Sequence, residues 1–511
     1  MTSPEPRDAP LVRIAAGAVR GSWRRAGAAD RSAAFLGIPF AKPPVGDLRL
    51  AAPVPPDPWE GELDATAYGA TPQRGDQGIT LIPEPSIPGP STLNVNVYTP
   101  APGDAAALLP VLVWIHGGAF VSGSPASPWY DGRAFARDGV VTVTISYRLG
   151  FDGFGAVAGA PSNRGVRDWL AALEWVRDNI AAFGGDPGRV TIAGQSAGGG
   201  AVLTLLGMPA AQSLFHQAWA LSSALGDVPP ERAKTHAAKL AHLAGVEPSR
   251  EGFMRASERT LRNLQREAAA TPRSGRLASL HAILEDGLEW GPMIDGDLLT
   301  GPTVAALRAG IGADKPLVLG ATDDEFTMLA DDARRALRAV PARAGLALLH
   351  VPPAVARAYL AANGPQRRKG TAAVLGRYAT DVIFRSLVVR VAEARTDAAR
   401  DAATAGGASA AATWAYRFSW VSPAKGWSCH CLDVPFFFDS LDAPGVTAIA
   451  GQSAPRALAD ALHGSAVAFV RGGDPGWTPW STRRGATRVF GGEASRPDVD
   501  PDGYASVRAL V

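Results

Sequence analysis

Three short runs of nearly unbroken apolar residues, VLVWI (111–115), VVTVTI (140–145) and VTIA (190–193), constrain this chain more than any other feature. Each is too short for a buried helix and too apolar for a strand with one wet face. Each therefore reads as a strand covered on both sides. Between the last two, residues 168–183 carry Trp169, Leu173, Val176 and Ile180 at helical spacing. Buried strands alternating with helices predict an α/β fold, with a large, mostly parallel central sheet flanked by helices. An apolar run at 316–319 and renewed strand character at 413–420 continue the pattern. Residues 228–285 and 328–400 are rich in Ala, Arg and Leu, and are expected as mainly helical insertions in a single domain spanning 1–511. DAATAGGASAAA (401–412) reads as a surface loop.

Composition removes several function classes. A net charge of +2 over 511 residues leaves no basic excess to bind nucleic acid. Two cysteines, Cys429 and Cys431, exclude a disulfide framework, and no apolar run approaches a membrane span. The first residues, MTSPEPRDAPLVRI, lack the apolar core of a secretory signal, so the expected setting is cytoplasmic. No repeat of 20–50 residues is present.

The tetrapeptide GQSA occurs twice, at 194–197 and 451–454. Gly194-Gln195-Ser196-Ala197-Gly198 follows the apolar run VTIA and precedes AVLTLLG, which reads as a buried helix. A serine on a tight strand-to-helix turn has its hydroxyl pushed out above the sheet, with flanking glycines because backbone packs too closely for side chains. In the second copy Pro455 replaces the second glycine and an amphipathic pattern follows, so Ser453 is expected to cap a helix. Ser196 is the candidate nucleophile.

Such a serine needs a base, an acid to orient that base, and donors for the oxyanion. His116-Gly-Gly-Ala-Phe120, directly after VLVWI, is a glycine-rich turn able to aim backbone N–H groups at a carbonyl oxygen. Of eight histidines, His236, His242 and His281 lie in polar helical stretches, while His216 and His463 fall inside expected helices. His430, in the loop GWSCHCLDVPFFF, is the better candidate base. Asp323, Asp324 and Glu325 follow an expected strand, and the pattern of residues leaves the choice among the three open. A zinc site at Cys429-His430-Cys431 is disfavoured, because adjacent ligands do not wrap one ion and no partner ligands exist.

Further motifs carry a resemblance. FLGIPFAKPPVGDLRL (35–50), LNVNVYTP (93–100), SYRLG (146–150), SNRGVRDWLAALEWVRDNIAAFGGDPGRVTI (162–192), FHQA (215–218), GPMIDGD (291–297) and FVRGGDPG (469–476) are similar to those of the type B carboxylesterases. That group includes cholinesterases and para-nitrobenzyl esterases on an α/β-hydrolase fold. The resemblance spans nearly the whole chain and implies a cofactor-free serine hydrolase that cleaves carboxylic esters. It implies Ser196 as nucleophile, Glu325 as acid and His430 as base, with the N–H groups of Gly118, Ala119 and Ala197 as oxyanion donors. Gln195 stands where relatives often carry Glu, so a negative charge beside the nucleophile is missing; Asp433 stands where they carry Glu. Phe120, Gln195, Phe326 and Trp427 are expected to line an apolar pocket. A small-molecule ester, no nucleic acid, no membrane and a monomer are the expected partners and state. Amide or carbamate cleavage, or a non-catalytic binding role, are the alternatives.

Overall fold

The computed structural model describes residues 9–25, 31–75, 81–270, 284–285, 287–331, 333–406, 409–492 and 499–511. In chain order its strands begin with β1 (Leu11–Ile14), β2 (Gly17–Arg20), β3 (Ser22–Arg25), β4 (Arg31–Pro39), β5 (Glu62–Asp64), β6 (Asn94–Thr99) and β7 (Leu109–Ile115). There follow β8 (Val141–Ile145), β9 (Gly185–Gln195), β10 (Gln217–Leu221), β11 (Leu317–Thr322), β12 (Thr413–Phe418), β13 (Thr487–Phe490) and β14 (Val499–Asp500). β1, β2 and β5 form a small sheet. The other eleven make one large sheet in the order β14-β13-β12-β11-β10-β9-β7-β8-β6-β4-β3. It is parallel from β8 through β13 and antiparallel at both ends.

The unbroken apolar runs have a direct cause. Along β7, Val111, Val113 and Ile115 enter the core that also holds Trp169, Leu173 and Val176. Leu112 and Trp114 point the other way, into the core of Trp129, Phe437, Phe438, Leu462 and Phe469. A strand with an apolar layer on each face leaves no position for a charged residue. The polar residues within the apolar runs of β8 and β9 are small threonines, Thr142, Thr144 and Thr191, themselves fully buried. The helix predicted over 168–183 runs from Arg164 to Asn179, and a 3-10 turn continues it through Phe183.

Both expected insertions are helical where described. The first contains Pro230–Ala244, Arg250–Arg255 and Glu258–Ala269; residues 271–283, including His281, lie outside the described residues. The second contains Pro353–Ala362, Thr371–Thr380 and Ser386–Thr404, the last two joined by a single π-helical turn, Asp381–Arg385. The loop expected from residue 401 begins later, because alanines carry the helix on to Thr404. His216 is not in a helix: its backbone N–H bonds to Val190 O at 2.8 Å, and it leads into β10.

Candidate active site

Ser196 sits between β9 and the helix Ala197–Leu206, at φ 60° and ψ −123°. A non-glycine residue held there is strained by about 1–3 kcal/mol and persists only where its surroundings over-determine it. They do so here by close approach. A Cβ on Gly198 would lie 2.0 Å from Ile115 O, and one on Gly194 would lie 2.5 Å from Gly198 O. Hydrogen bonds from Ser196 N to Leu221 O (3.0 Å) and from Gly200 N and Ala224 N to Ser196 O (2.9 and 3.0 Å) fix the turn. The serine itself is half-buried, at the head of a helix whose every residue is buried.

The second GQSA copy is different. Ser453 is exposed in a turn, and the following helix begins at Arg456 with Pro455 at the cap position and no side-chain cap. The expected capping role of Ser453 is therefore corrected: Pro455 already sets the helical φ two residues later.

Three adjacent carboxylates leave the end of β11 and part company. Asp323 turns to Arg417 (2.7 and 2.8 Å), and Asp324 to Thr327 Oγ1 (3.2 Å) and Arg377 (3.6 Å). Glu325, fully buried, accepts a hydrogen bond from Thr322 N at 2.7 Å through Oε1 and lies 2.5 Å from His430 Nδ1 through Oε2. His430 N also bonds to Glu325 O at 3.0 Å. The carboxylate can only accept, so Nδ1 carries the proton and Nε2 presents its lone pair. Gln195 meets that lone pair: its side-chain amide nitrogen is 3.2 Å from Nε2. The residue next to Ser196 thus touches the imidazole that Glu325 holds from behind.

The glycine-rich turn after β7 lies against the serine. A Cβ on Gly117 would be 3.1 Å from Ser196 Cβ and 2.7 Å from Gln195 O. Gly118, Ala119 and Phe120 have φ values of 108°, 52° and 61°, three left-handed residues in a row. Gly118 O accepts from Val121 N and Ser122 N at 3.0 and 2.9 Å. Ala197 N–H, first in its helix, has no carbonyl four residues back to bond.

The pocket candidates divide. Phe326, half-buried, stands edge-on to His430 with ring centroids 5.2 Å apart. Gln195 is buried against the imidazole as described. Phe120 is not a pocket wall: its left-handed φ turns the ring inward, where it is fully buried against Phe154 and Trp169. Trp427 is also core, packed with Phe436 and Phe418 in one cluster and covered by Lys369 Nζ 4.6 Å above its ring.

Sequence reasoning missed one neighbour of His430, Phe384, and noted another, Asp433, without its burial. Phe384, in the π turn, lies 4.9 Å from the imidazole centroid. π turns gather at functional sites, but nothing in the residue pattern marks one in advance. Asp433 is fully buried, accepts from Tyr416 Oη at 3.0 Å through Oδ2, and has no partner for Oδ1 among the described residues. Burial, reinforced by Glu325, pushes its carboxyl up to about 7. The folded chain therefore keeps a proton that the unfolded chain releases near pH 4, so this contribution to stability is lost as pH rises from there through about 7. Asp433→Asn keeps the acceptor for Tyr416 but cannot ionise. Its melting temperature is expected to exceed that of wild type at pH 8, with an advantage on the order of a few kcal/mol that vanishes by pH 4. An advantage that is the same at both pH values would sink the assignment.

No group of three or more His, Cys, Asp or Glu able to hold a metal occurs among the described residues. No described helix is long and apolar enough to cross a membrane.

Comparisons with known proteins agree with this geometry. The model of the carboxylesterase family matches residues 8–488. A para-nitrobenzyl esterase of Bacillus subtilis (strain 168) is 33% identical over 464 residues, covering 86% of each chain. A phenmedipham hydrolase of Pseudarthrobacter oxydans is 32% identical over 500 residues, covering 93% of this chain and 95% of that one. Among solved structures, a Geobacillus stearothermophilus carboxylesterase superposes with a TM-score of 0.76 at 33% identity, over 94% of this chain and 96% of the other. With the strand-borne serine, the buried Glu–His pair and the glycine-rich turn all beyond the C-terminal ends of parallel strands, the chain belongs to the carboxylesterase family, on an α/β-hydrolase fold, and is a carboxylic-ester hydrolase.

Proposed function

We propose that hydrolysis runs through an acyl-enzyme on Ser196. His430 Nε2 takes the Ser196 hydroxyl proton as Oγ attacks the ester carbonyl, displacing the Gln195 amide from that lone pair. Glu325 keeps Nδ1 protonated and stabilises the imidazolium that forms. The N–H groups of Gly118, Ala119 and Ala197 take the oxyanion, each lowering the barrier by about 3 kcal/mol. The imidazolium then gives its proton to the departing alcohol. Water, activated by the same nitrogen, releases the acid and restores Ser196.

One observation carries this reading: Glu325 and Gln195 grip opposite nitrogens of His430, and Gln195 is joined to the strained serine. Phe326 and Phe384 flank the imidazole and favour short- to medium-chain, uncharged or aromatic esters. Both cysteines are unpaired, which supports a cytoplasmic setting. One sheet draws strands from residue 22 to residue 500, which supports a single domain, and a monomer suffices for the site.

The test is a series of p-nitrophenyl esters from acetate to palmitate, read with millisecond mixing. A burst of about one p-nitrophenol per chain is expected on acetate or butyrate, with rates falling steeply at palmitate. Turnover without any burst, together with no acyl group on Ser196 by mass spectrometry, would remove the acyl-enzyme.

A further inference from the structure

We infer that Gln73 is a positioning residue for the reaction, a strut that holds the glycine-rich turn in register with Ser196. This rests on the reading of that turn as the oxyanion site. Gln73 is far from the turn in sequence and buried, with only 3% of its surface exposed. Its side chain is engaged at both ends. Gly123 N donates to Gln73 Oε1 at 2.7 Å, and Gln73 Nε2 donates to Glu84 O at 2.9 Å. One amide therefore ties the end of the turn to the segment 81–87.

That segment is itself anchored around Gln73. Ser86 Oγ donates to Gln73 O at 3.1 Å and accepts from Gly75 N at 2.8 Å. Thr71 and Ile87 bond through Thr71 N to Ile87 O (3.0 Å) and Ile87 N to Thr71 Oγ1 (2.9 Å). The strut thus has a fixed footing.

Its far end matters because the turn is strained and folded onto itself. Three consecutive left-handed residues do not hold that shape unaided. Tyr147 Oη on His116 O (2.9 Å) pins the start, and Gly150 N on Phe120 O (2.7 Å) pins the middle. Gly123 closes the turn: a Cβ there would lie 2.3 Å from both Gly117 O and His116 Nδ1. Gly117 in turn packs on Ser196. Any slip of Gly123 is passed through Gly117 and His116 to the N–H groups of Gly118 and Ala119. Those groups act on charge that exists only in the transition state, so a slip lowers kcat and leaves substrate binding nearly unchanged.

The test compares wild type with Gln73→Met, which keeps the volume and loses both hydrogen bonds. Kinetics on p-nitrophenyl butyrate are measured beside inhibition by an alkyl trifluoromethyl ketone, whose serine adduct carries the tetrahedral oxyanion. In Gln73→Met, kcat is expected to fall by about tenfold to a hundredfold with KM within about threefold, and the ketone Ki to rise by the same factor as kcat falls. If Gln73→Met does not fold, Gln73→Asn, too short to reach both partners, carries the same expectation. Tight ketone binding retained in the variant overturns the strut alone, as does a loss of melting temperature with kcat unchanged. A wild type that binds the ketone no better than the ester overturns the oxyanion reading, and the strut with it.

Discussion

Ser196→Ala is expected to lose ester hydrolysis by about four to six orders of magnitude, with its melting temperature within a few degrees of wild type. The change removes Oγ and nothing else. Alanine keeps the Cβ, so the backbone at φ 60° and ψ −123° bears the same strain as before. The hydrogen bonds that hold the turn come from backbone atoms of residues 196, 200 and 224. Packing is thus unaltered, and any loss is chemical. Ser453→Ala is the matched control, because it alters the same tetrapeptide in an exposed turn. It is expected to keep the full wild-type rate. Both variants are read on p-nitrophenyl butyrate beside a thermal melt. If Ser196→Ala retained a tenth of the rate, the nucleophile would have to be sought elsewhere.

Glu325→Gln is expected to lower kcat by about 10³–10⁴ while the fold survives. The glutamine is close in size, and its oxygen can still accept from Thr322 N. Its amide nitrogen then faces His430 Nδ1 as a donor, which drives the imidazole proton to Nε2. The nitrogen that must take the serine proton is then already occupied. Asp323, two residues earlier, makes the contrast. Burial works against its charge, yet Arg417, Arg385 and Arg377 hold its carboxyl well below the usual range. Asp323→Asn strands buried guanidinium groups and is expected to cost about 3 kcal/mol of stability. Its kcat, measured where it is folded, should fall by far less than that of Glu325→Gln. Equal losses of kcat in the two variants would mean that Glu325 acts only by holding the fold.

How legible the chain was depended on the range of the interaction. The strands of the parallel sheet could be read because burial on both faces writes itself into every consecutive residue. Ser196 could be separated from Ser453 by local context, since a glycine two residues on admits the tight turn and a proline does not. The choice among Asp323, Asp324 and Glu325 was not local. It depends on Arg377 and Arg417 arriving from distant elements, and only the family resemblance singled out Glu325. Phe120 misled because its hydrophobicity gave no sign of a left-handed φ that aims the ring at Phe154 and Trp169. Phe384 went unseen because one extra residue in a helical turn rotates the side chains beyond it without altering the apolar spacing that reads as helix.

The order of the large sheet bears on how the chain is made. From β9 outward to β14, each strand docks beside the one synthesised before it. Until the next strand leaves the ribosome, the newest one presents a row of unpaired N–H and C=O groups. A chain stalled after β11 holds Glu325 on an open edge and has not yet made His430, and it is prone to pair with another such chain. Release comes only with β14, two residues long and antiparallel, which is too short to template a further strand. Truncation before β14 is therefore expected to leave β13 as an open edge and to yield aggregates rather than partially active enzyme.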